Sequence, residues 1–304
     1  MPSEYGIHYK DKRNWPRYNE RLVLRGELYL STDWVRSWDE ELRTMNGGKR
    51  GRPYSFPESM MRFLAAVRQI LRMQYRQMEG FLRGMSRVVA KVRPPDYTTL
   101  WWRIACMELE IPVPRGDGPV VVAIDSTGVK VTNRGEWMRE KWHRHRGWIK
   151  VHLAVDVNGG PIAVEVTDER TGDSPMFPAL VEKAERALGN GRIQEVLADA
   201  AYDSRANFQL LEDKGIGSGI RIKAGATCKS YGSSARPRAV RELRSLGYEG
   251  WRERHGYGMR WAAEWTFSAL KRMLGESLMA KKTDLMYREA MSKFAVYAML
   301  LQMP

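Results

Sequence analysis

Between residues 118 and 223 the chain runs through three β-like stretches, PVVVAID, WIKVHLAVD and PIAVEVT, and then alternates between helical and strand-like stretches. The three are rich in the branched residues that fit a pleated surface. Asn158-Gly159-Gly160 marks a turn between the second and third, so they read as an antiparallel meander. SPMFPALVEKAERAL follows as a helix, EVLAD as a fourth strand, SRANFQLLEDKG as a second helix and GIRIK as a fifth strand. The pattern is that of an α/β fold, a mixed sheet with flanking helices.

Two of these strands end on an aspartate, Asp125 in AIDSTG and Asp199 in LADAAYDS. Strand ends are where a sheet can present carboxylates to a common point. Farther along stand Tyr257, Arg260, Glu264 and Lys271. If Gly258-Met259-Arg260 opens a helix, steps of about 100° place these four side chains within an arc of roughly 60°. The neighbouring stripe of Ala263, Phe267, Leu270 and Leu274 is apolar and has a core to sit on. The polar row then lies at the rim of that core, and three convergent carboxylates form a divalent-metal site. Each acid also has an ordinary reading. Arg260 with Glu264, or Glu264 with Lys271, can be surface pairs worth about 0.3 to 0.5 kcal/mol. Asp125 can cap a turn with Ser126, Thr127 and Gly128, and Asp199 can do so before Ala200-Ala201. Among the other acids, Asp156 reads as a turn residue, and Asp203 and Asp173 read as helix caps. His143, His145 and His152 alternate through KWHRHRGWIKVH without a fourth ligand at zinc spacing. With Lys141, Arg144 and Arg146 they read as a basic strand edge near DNA.

Tyr-x2-Arg-x3-Glu-x6-Lys, written here YGMRWAAEWTFSALK, resembles the signature around the third acid of the insertion-sequence DDE transposases. AIDSTGVKV, HRGWIKVHLAVD and LADAAYDS resemble that family's first-acid strand, its next strands and its second-acid strand. RQMEGFLRGM and PPDYTTLWWR extend the resemblance more weakly into the amino-terminal half. Trp265 after the glutamate and Ala262-Ala263 before it depart from the family pattern, which bears on local DNA contacts and leaves the acids intact. The resemblance implies an RNase-H-like catalytic fold over residues 116–304, with a short insertion near 224–256, preceded by a mainly helical DNA-binding domain over 1–115. It implies Asp125, Asp199 and Glu264 as catalytic metal ligands for Mg²⁺, with Mn²⁺ able to substitute. It further implies DNA contacts from Tyr257, Arg260 and Lys271, cleavage of transposon ends, joining of 3′-hydroxyls to target DNA, and a homodimer or higher oligomer. Trp251, Trp261 and Trp265 can receive an unstacked base or pack in the core. A nuclease or resolvase of the same fold, or a DNA-binding relative without chemistry, are the alternatives.

In the amino-terminal part, PESMMRFLAAVRQILRMQ, YRQMEGFLRGM and a stretch from Asp96 through LWWRIACMEL read as helices. They suit either a helix-turn-helix-like module, with Arg76, Arg83 and Arg103 on DNA, or a helical cap on the catalytic domain. Arg50-Gly51-Arg52-Pro53 reads either as a minor-groove hook or as a solvated connector. Cys106 and Cys228 stand alone, so any metal is oxygen-bound. No run approaches 18 apolar residues, and MPSEYGIHYKDKRNW lacks the make-up of a signal peptide, so a cytoplasmic protein is expected.

Fifty Lys and Arg against thirty-six Asp and Glu leave a formal charge of +14, which points to a polyanionic partner. Affinity for double-stranded DNA is therefore expected to fall steeply with salt, by about 0.9 in log K per unit of log salt for each phosphate neutralised. Binding measured from low to moderate salt checks this, and a flat response would remove the electrostatic reading.

Overall fold

A computed structural model describes residues 14–28, 33–89, 91–108, 110–113, 116–131, 148–229 and 233–302. Six helices come first: α1 Trp15–Leu28, α2 Asp33–Arg36, α3 Trp38–Asn46, α4 Glu58–Leu71, α5 Tyr75–Met85 and α6 Tyr97–Cys106. Then come β1 Val120–Lys130, β2 Trp148–Asp156, β3 Gly160–Asp168, α7 Phe177–Leu188, β4 Ile193–Ala198, α8 Arg205–Asp213, β5 Gly217–Ile220, α9 Ala235–Arg254, α10 Trp261–Leu274 and α11 Thr283–Gln302.

The strands form one mixed sheet in the order β3-β2-β1-β4-β5. β1, β2 and β3 pair antiparallel as the meander, and β4 and β5 run parallel to β1. This is the RNase-H-like arrangement. Successive residues of β1 face opposite ways, which is why its apolar run is continuous. Val122 and Ile124 pack with Phe177, Leu180, Phe208 and Leu211 of α7 and α8. Ala123, with Val151 and Leu153 of β2, packs against Phe267, Leu270, Phe294 and Tyr297 of α10 and α11. Burying each such side chain contributes about 1.5 to 3 kcal/mol.

A third core, with Trp34, Trp38, Met60, Leu64, Met78, Leu82 and Leu100, joins α2 to α6. Helix α4 serves two cores: Met60, Met61 and Leu64 face the helices, while Ala66 lies in the core beneath the sheet. Among the described residues no helix is long and apolar enough to cross a membrane.

Three local expectations are revised. GIRIK was expected to pair over 219–223, but β5 spans Gly217–Ile220. Its partner β4 ends at Ala198 opposite Ile220, because Asp199 turns the chain away. The polar segment expected over 224–256 contains the 20-residue helix α9, which buries Ala235, Ala239, Val240 and Trp251 and is kinked at Gly247 (φ 68). Asp203 is not the cap of α8; Ser204 is, accepting from the Asn207 N–H. Asp203 instead accepts from Arg236 Nε at 2.5 Å, Arg236 Nη2 at 2.9 Å and the Lys223 N–H at 2.9 Å. Asp203→Ala leaves the Arg236 guanidinium without its carboxylate, so about 3 to 5 kcal/mol of stability should be lost. Urea unfolding measures this, and a loss under about 1 kcal/mol would return Asp203 to an ordinary cap.

Candidate active site

The parallel register of β1 and β4 brings Asp125 and Asp199 to neighbouring strand ends. Ile124 pairs with Ala198 on the adjacent parallel strand, so each aspartate is the next residue along chains spaced about 4.8 Å apart. Asp125 Oδ1 accepts the Ser126 N–H at 2.8 Å, and Asp199 Oδ1 accepts the Ala201 N–H at 2.8 Å. The local turn roles read from sequence are thus real, and each uses one oxygen to fix the carboxylate to its own backbone.

The third acid arrives on α10. Gly256 (φ 55) reverses the chain after α9, a 3-10 turn runs over Tyr257–Arg260, and α10 follows. The helix lays Ala263, Phe267, Leu270 and Leu274 into the core, as the apolar stripe requires. Its polar row then faces the strand ends. Arg260 Nη1 lies 3.3 Å from Asp125 Oδ2, and Arg260 Nη2 donates to Glu264 Oε1. One guanidinium bridges two of the three acids. Lys271 Nζ donates to Thr127 Oγ1 at 2.8 Å, two residues beyond Asp125 on the same face of β1.

The electrostatics follow from this crowding. Burial pushes the Asp125 carboxyl above its ordinary range, with repulsion from Asp199 and Glu264 adding to it and the Ser126 N–H and Arg260 opposing it. Burial also lowers the Lys271 ammonium. Among the described residues no three acidic, histidine or cysteine side chains are gathered at metal-holding distance. The guanidinium of Arg260 occupies the space between two carboxylates instead. The donors are all carboxylate oxygens, which suits a hard divalent cation and not zinc.

Other expected site residues are distributed unevenly. Tyr257 is only 7% exposed, its ring 5.0 Å from that of Trp251, so it packs beneath the turn and does not present its face. Trp251 is also buried, whereas Trp261 and Trp265 on α10 are 67% and 59% exposed beside Glu264. Arg103 is turned inward, with Nη2 2.7 Å from Glu58 Oε2 and Nη1 donating to Phe56 O at 3.1 Å. Arg50, Arg52, Arg76 and Arg83 are exposed; Arg76 lies over the Tyr97 ring and Arg83 pairs with Glu79. His152 is not at a strand edge: it is fully buried on β2, next to the central strand, with Nε2 2.9 Å from Thr167 Oγ1. His143, His145, Lys141, Arg144 and Arg146 lie outside the described residues.

A family model described as "Transposase DDE domain" matches residues 116–299, and a second with the same description matches 23–134. The chain belongs to the DDE transposases. The chain is thus a DNA transposase, an enzyme that cuts and joins DNA with divalent metal ions. Among solved structures it is similar to the piggyBac transposase synaptic complex with hairpin DNA, at 9% identity over 92% of this chain and 74% of that one, TM-score 0.39. It is also similar to the Drosophila P element transposase strand transfer complex, at 11% identity over 91% and 71%, TM-score 0.29.

Sequence reasoning missed Thr127 as the partner of Lys271, although alternation along β1 places it on the same face as Asp125. It also missed the transposase's Asp203–Arg236 pair, whose members are 33 residues apart.

The direction of the Asp125 shift yields a stability test. A carboxyl raised in the folded state favours folding below its unfolded value of 3.8 and loses that contribution as pH rises through the folded value. At neutral pH its charge is therefore a burden on the metal-free fold. Asp125→Asn should melt at or above wild type at pH 7, with the difference shrinking toward pH 4. A variant that melts well below wild type at pH 7 would contradict this.

Proposed function

We propose that Asp125, Asp199 and Glu264 are the catalytic acids and hold Mg²⁺, for which Mn²⁺ can substitute. The observation that carries this reading is the guanidinium of Arg260 bridging Asp125 and Glu264, with Asp199 on the adjacent strand one residue beyond the Ile124–Ala198 pair. A cluster of like charges at a sheet rim is costly, and such arrangements are characteristic of sites that bind a cation.

When bound, two hard cations activate the attacking oxygen, stabilise the leaving oxygen and neutralise the phosphoryl charge. The chain's own residues do the positioning. Asp125, beside Asp199 through the strand register and beside Glu264 through Arg260, would hold the cations together with Asp199 and Glu264. Arg260, at the start of α10, and Lys271, within it, offer charge to phosphates flanking the scissile one. Trp261 and Trp265, exposed on either side of Glu264, offer flat faces to an unstacked base.

On this reading the substrate is the terminal inverted repeats of the parent element, whose 3′-hydroxyls are then joined to target DNA. Two ends must be held at once, which calls for a homodimer or higher oligomer acting on DNA in the cytoplasm. Residues 1–115 form the DNA-gripping part and 116–304 the catalytic part. Arg50, Arg52, Arg76 and Arg83 supply the exposed basic contacts of the first, while inward-facing Arg103 supports them structurally.

A strand-transfer assay on a linear fragment carrying the element's terminal repeats tests the assignment. Asp125→Asn and Glu264→Gln should each lower cleavage by several orders of magnitude in Mg²⁺ and leave affinity for the ends equal or higher. Either variant cutting at the wild-type rate would break the triad.

A further inference from the structure

Behind the acids, on the opposite face of the sheet, lies a half-buried polar cluster around the buried His152 that packing alone does not require. Ser126 follows Asp125 on β1 and faces the other way, directly across from His152 on β2. Lys150 is two residues earlier on β2 and shares that face. Both reach Asp173, in the connection between β3 and α7: Lys150 Nζ lies 2.8 Å from Asp173 Oδ1, and His152 Nδ1 lies 3.4 Å from it. Asp173 was expected to cap the turn at Ser174-Pro175, but its side chain makes no capping hydrogen bond. It faces inward. Burial disfavours its charge, yet the neighbouring His152 and Lys150 outweigh burial and hold the carboxyl well below the usual range. On its other side His152 Nε2 lies 2.9 Å from Thr167 Oγ1, whose hydroxyl donates to the Asp168 carbonyl at 3.2 Å.

The next residue carries the connection to the other aspartate. Asn207 of α8 donates through Nδ2 to Ser174 Oγ at 3.1 Å and to Tyr202 O at 2.9 Å. Tyr202 closes the 3-10 turn that begins immediately after Asp199, and its ring is buried against Phe177. Asp173 thus binds β2, whose His152 lies across from Ser126 beside Asp125, and Ser174 is tied through Asn207 to the turn that follows Asp199.

We propose that Asp173, with Ser174, His152 and Asn207, is a brace of positioning residues that sets the distance between Asp125 and Asp199 from the far side of the sheet, and so tunes affinity for the metal ions. A half-buried carboxylate ion-paired to Lys150 and facing His152 resists sliding of β2, and of the β1 strand paired to it, better than an apolar contact would, because a shift would break the pair. A spacing set this way is needed most where two like-charged side chains must stay within reach of the same cations. Loosening it should weaken cation binding and leave the chemistry available once the cations are supplied in excess.

The inference rests on Asp125 and Asp199 being metal ligands, and the test separates the two claims. Mn²⁺ is titrated by calorimetry into the full-length protein without DNA, and end cleavage is measured against Mn²⁺ concentration. Asp173→Ala should raise the half-saturating Mn²⁺ concentration about tenfold in both experiments, with cleavage near the wild-type maximum in excess Mn²⁺ and end-DNA binding unchanged without metal. Lys150→Met, which removes the ion pair that ties Asp173 to β2, should raise it several-fold, and it decides the matter if Asp173→Ala does not fold. An unchanged half-saturation, whether or not cleavage falls, overturns the brace. Asp125→Ala serves as the reference: if it leaves Mn²⁺ binding intact, the ligand assignment itself fails and the brace with it.

Discussion

Two aspartates on adjacent strand ends and a glutamate on a helix laid across them repel one another. At an effective dielectric near 20, a like-charge pair about 5 Å apart costs on the order of 3 kcal/mol. The guanidinium of Arg260, shared between Asp125 and Glu264, offsets much of this in the metal-free protein. The surrounding structure answers the same demand. Helix α10 must hold Arg260 and Glu264 against the strand ends, and it does so by burying Phe267, Leu270 and Leu274 on the sheet. The turn that starts the helix is held in turn by Tyr257 on Trp251, and by His255, which pairs with Glu195 on β4.

The carboxyl end of α10 is fixed with equal care. After Gly275 (φ 80) the chain runs back beside β1, where Lys130 pairs with Ser277. Lys293, buried on α11, donates to the carbonyls of Gly275 and Ser277 at 2.8 and 2.9 Å. Glu289 accepts the N–H groups of Met279 and Ala280. Arg72, just past α4, donates to Ser277 Oγ at 2.8 Å. The helix carrying the third acid is thereby pinned at both ends and along one side, as a site that must hold its donors within a fraction of an ångström requires.

Much of this was legible in the residues. The acids could be read because alternation in a strand and the 3.6-residue period in a helix fix which way a side chain points, so Asp125, Asp199 and the α10 stripe follow from local pattern. Partners brought together by the fold could not be read that way. Asp203 carries a good local cap signal, and nothing nearby announces Arg236. His152 looked basic and exposed in a run of arginines, although its place between Val151 and Leu153, two buried positions, argued for an interior strand. Tyr257 belongs to the polar row by angle, but a 3-10 turn, not an α-helix, sets its direction. Helix α9 was hidden by its charge: Ala235, Ala239 and Val240 are too few among arginines and glutamates to stand out.

Helix α4 contributes to the amino-terminal core along most of one face and gives Ala66 to the core under the sheet, with Arg72 reaching the loop after α10. The amino-terminal helices are therefore not a detachable cassette. Removing them would strip a wall from the core under the sheet, and exchanging them for another helical module would mean rebuilding the α4 surface residue by residue. Recombination between distant relatives at this junction should be selected against, so the two halves of the chain are expected to descend together.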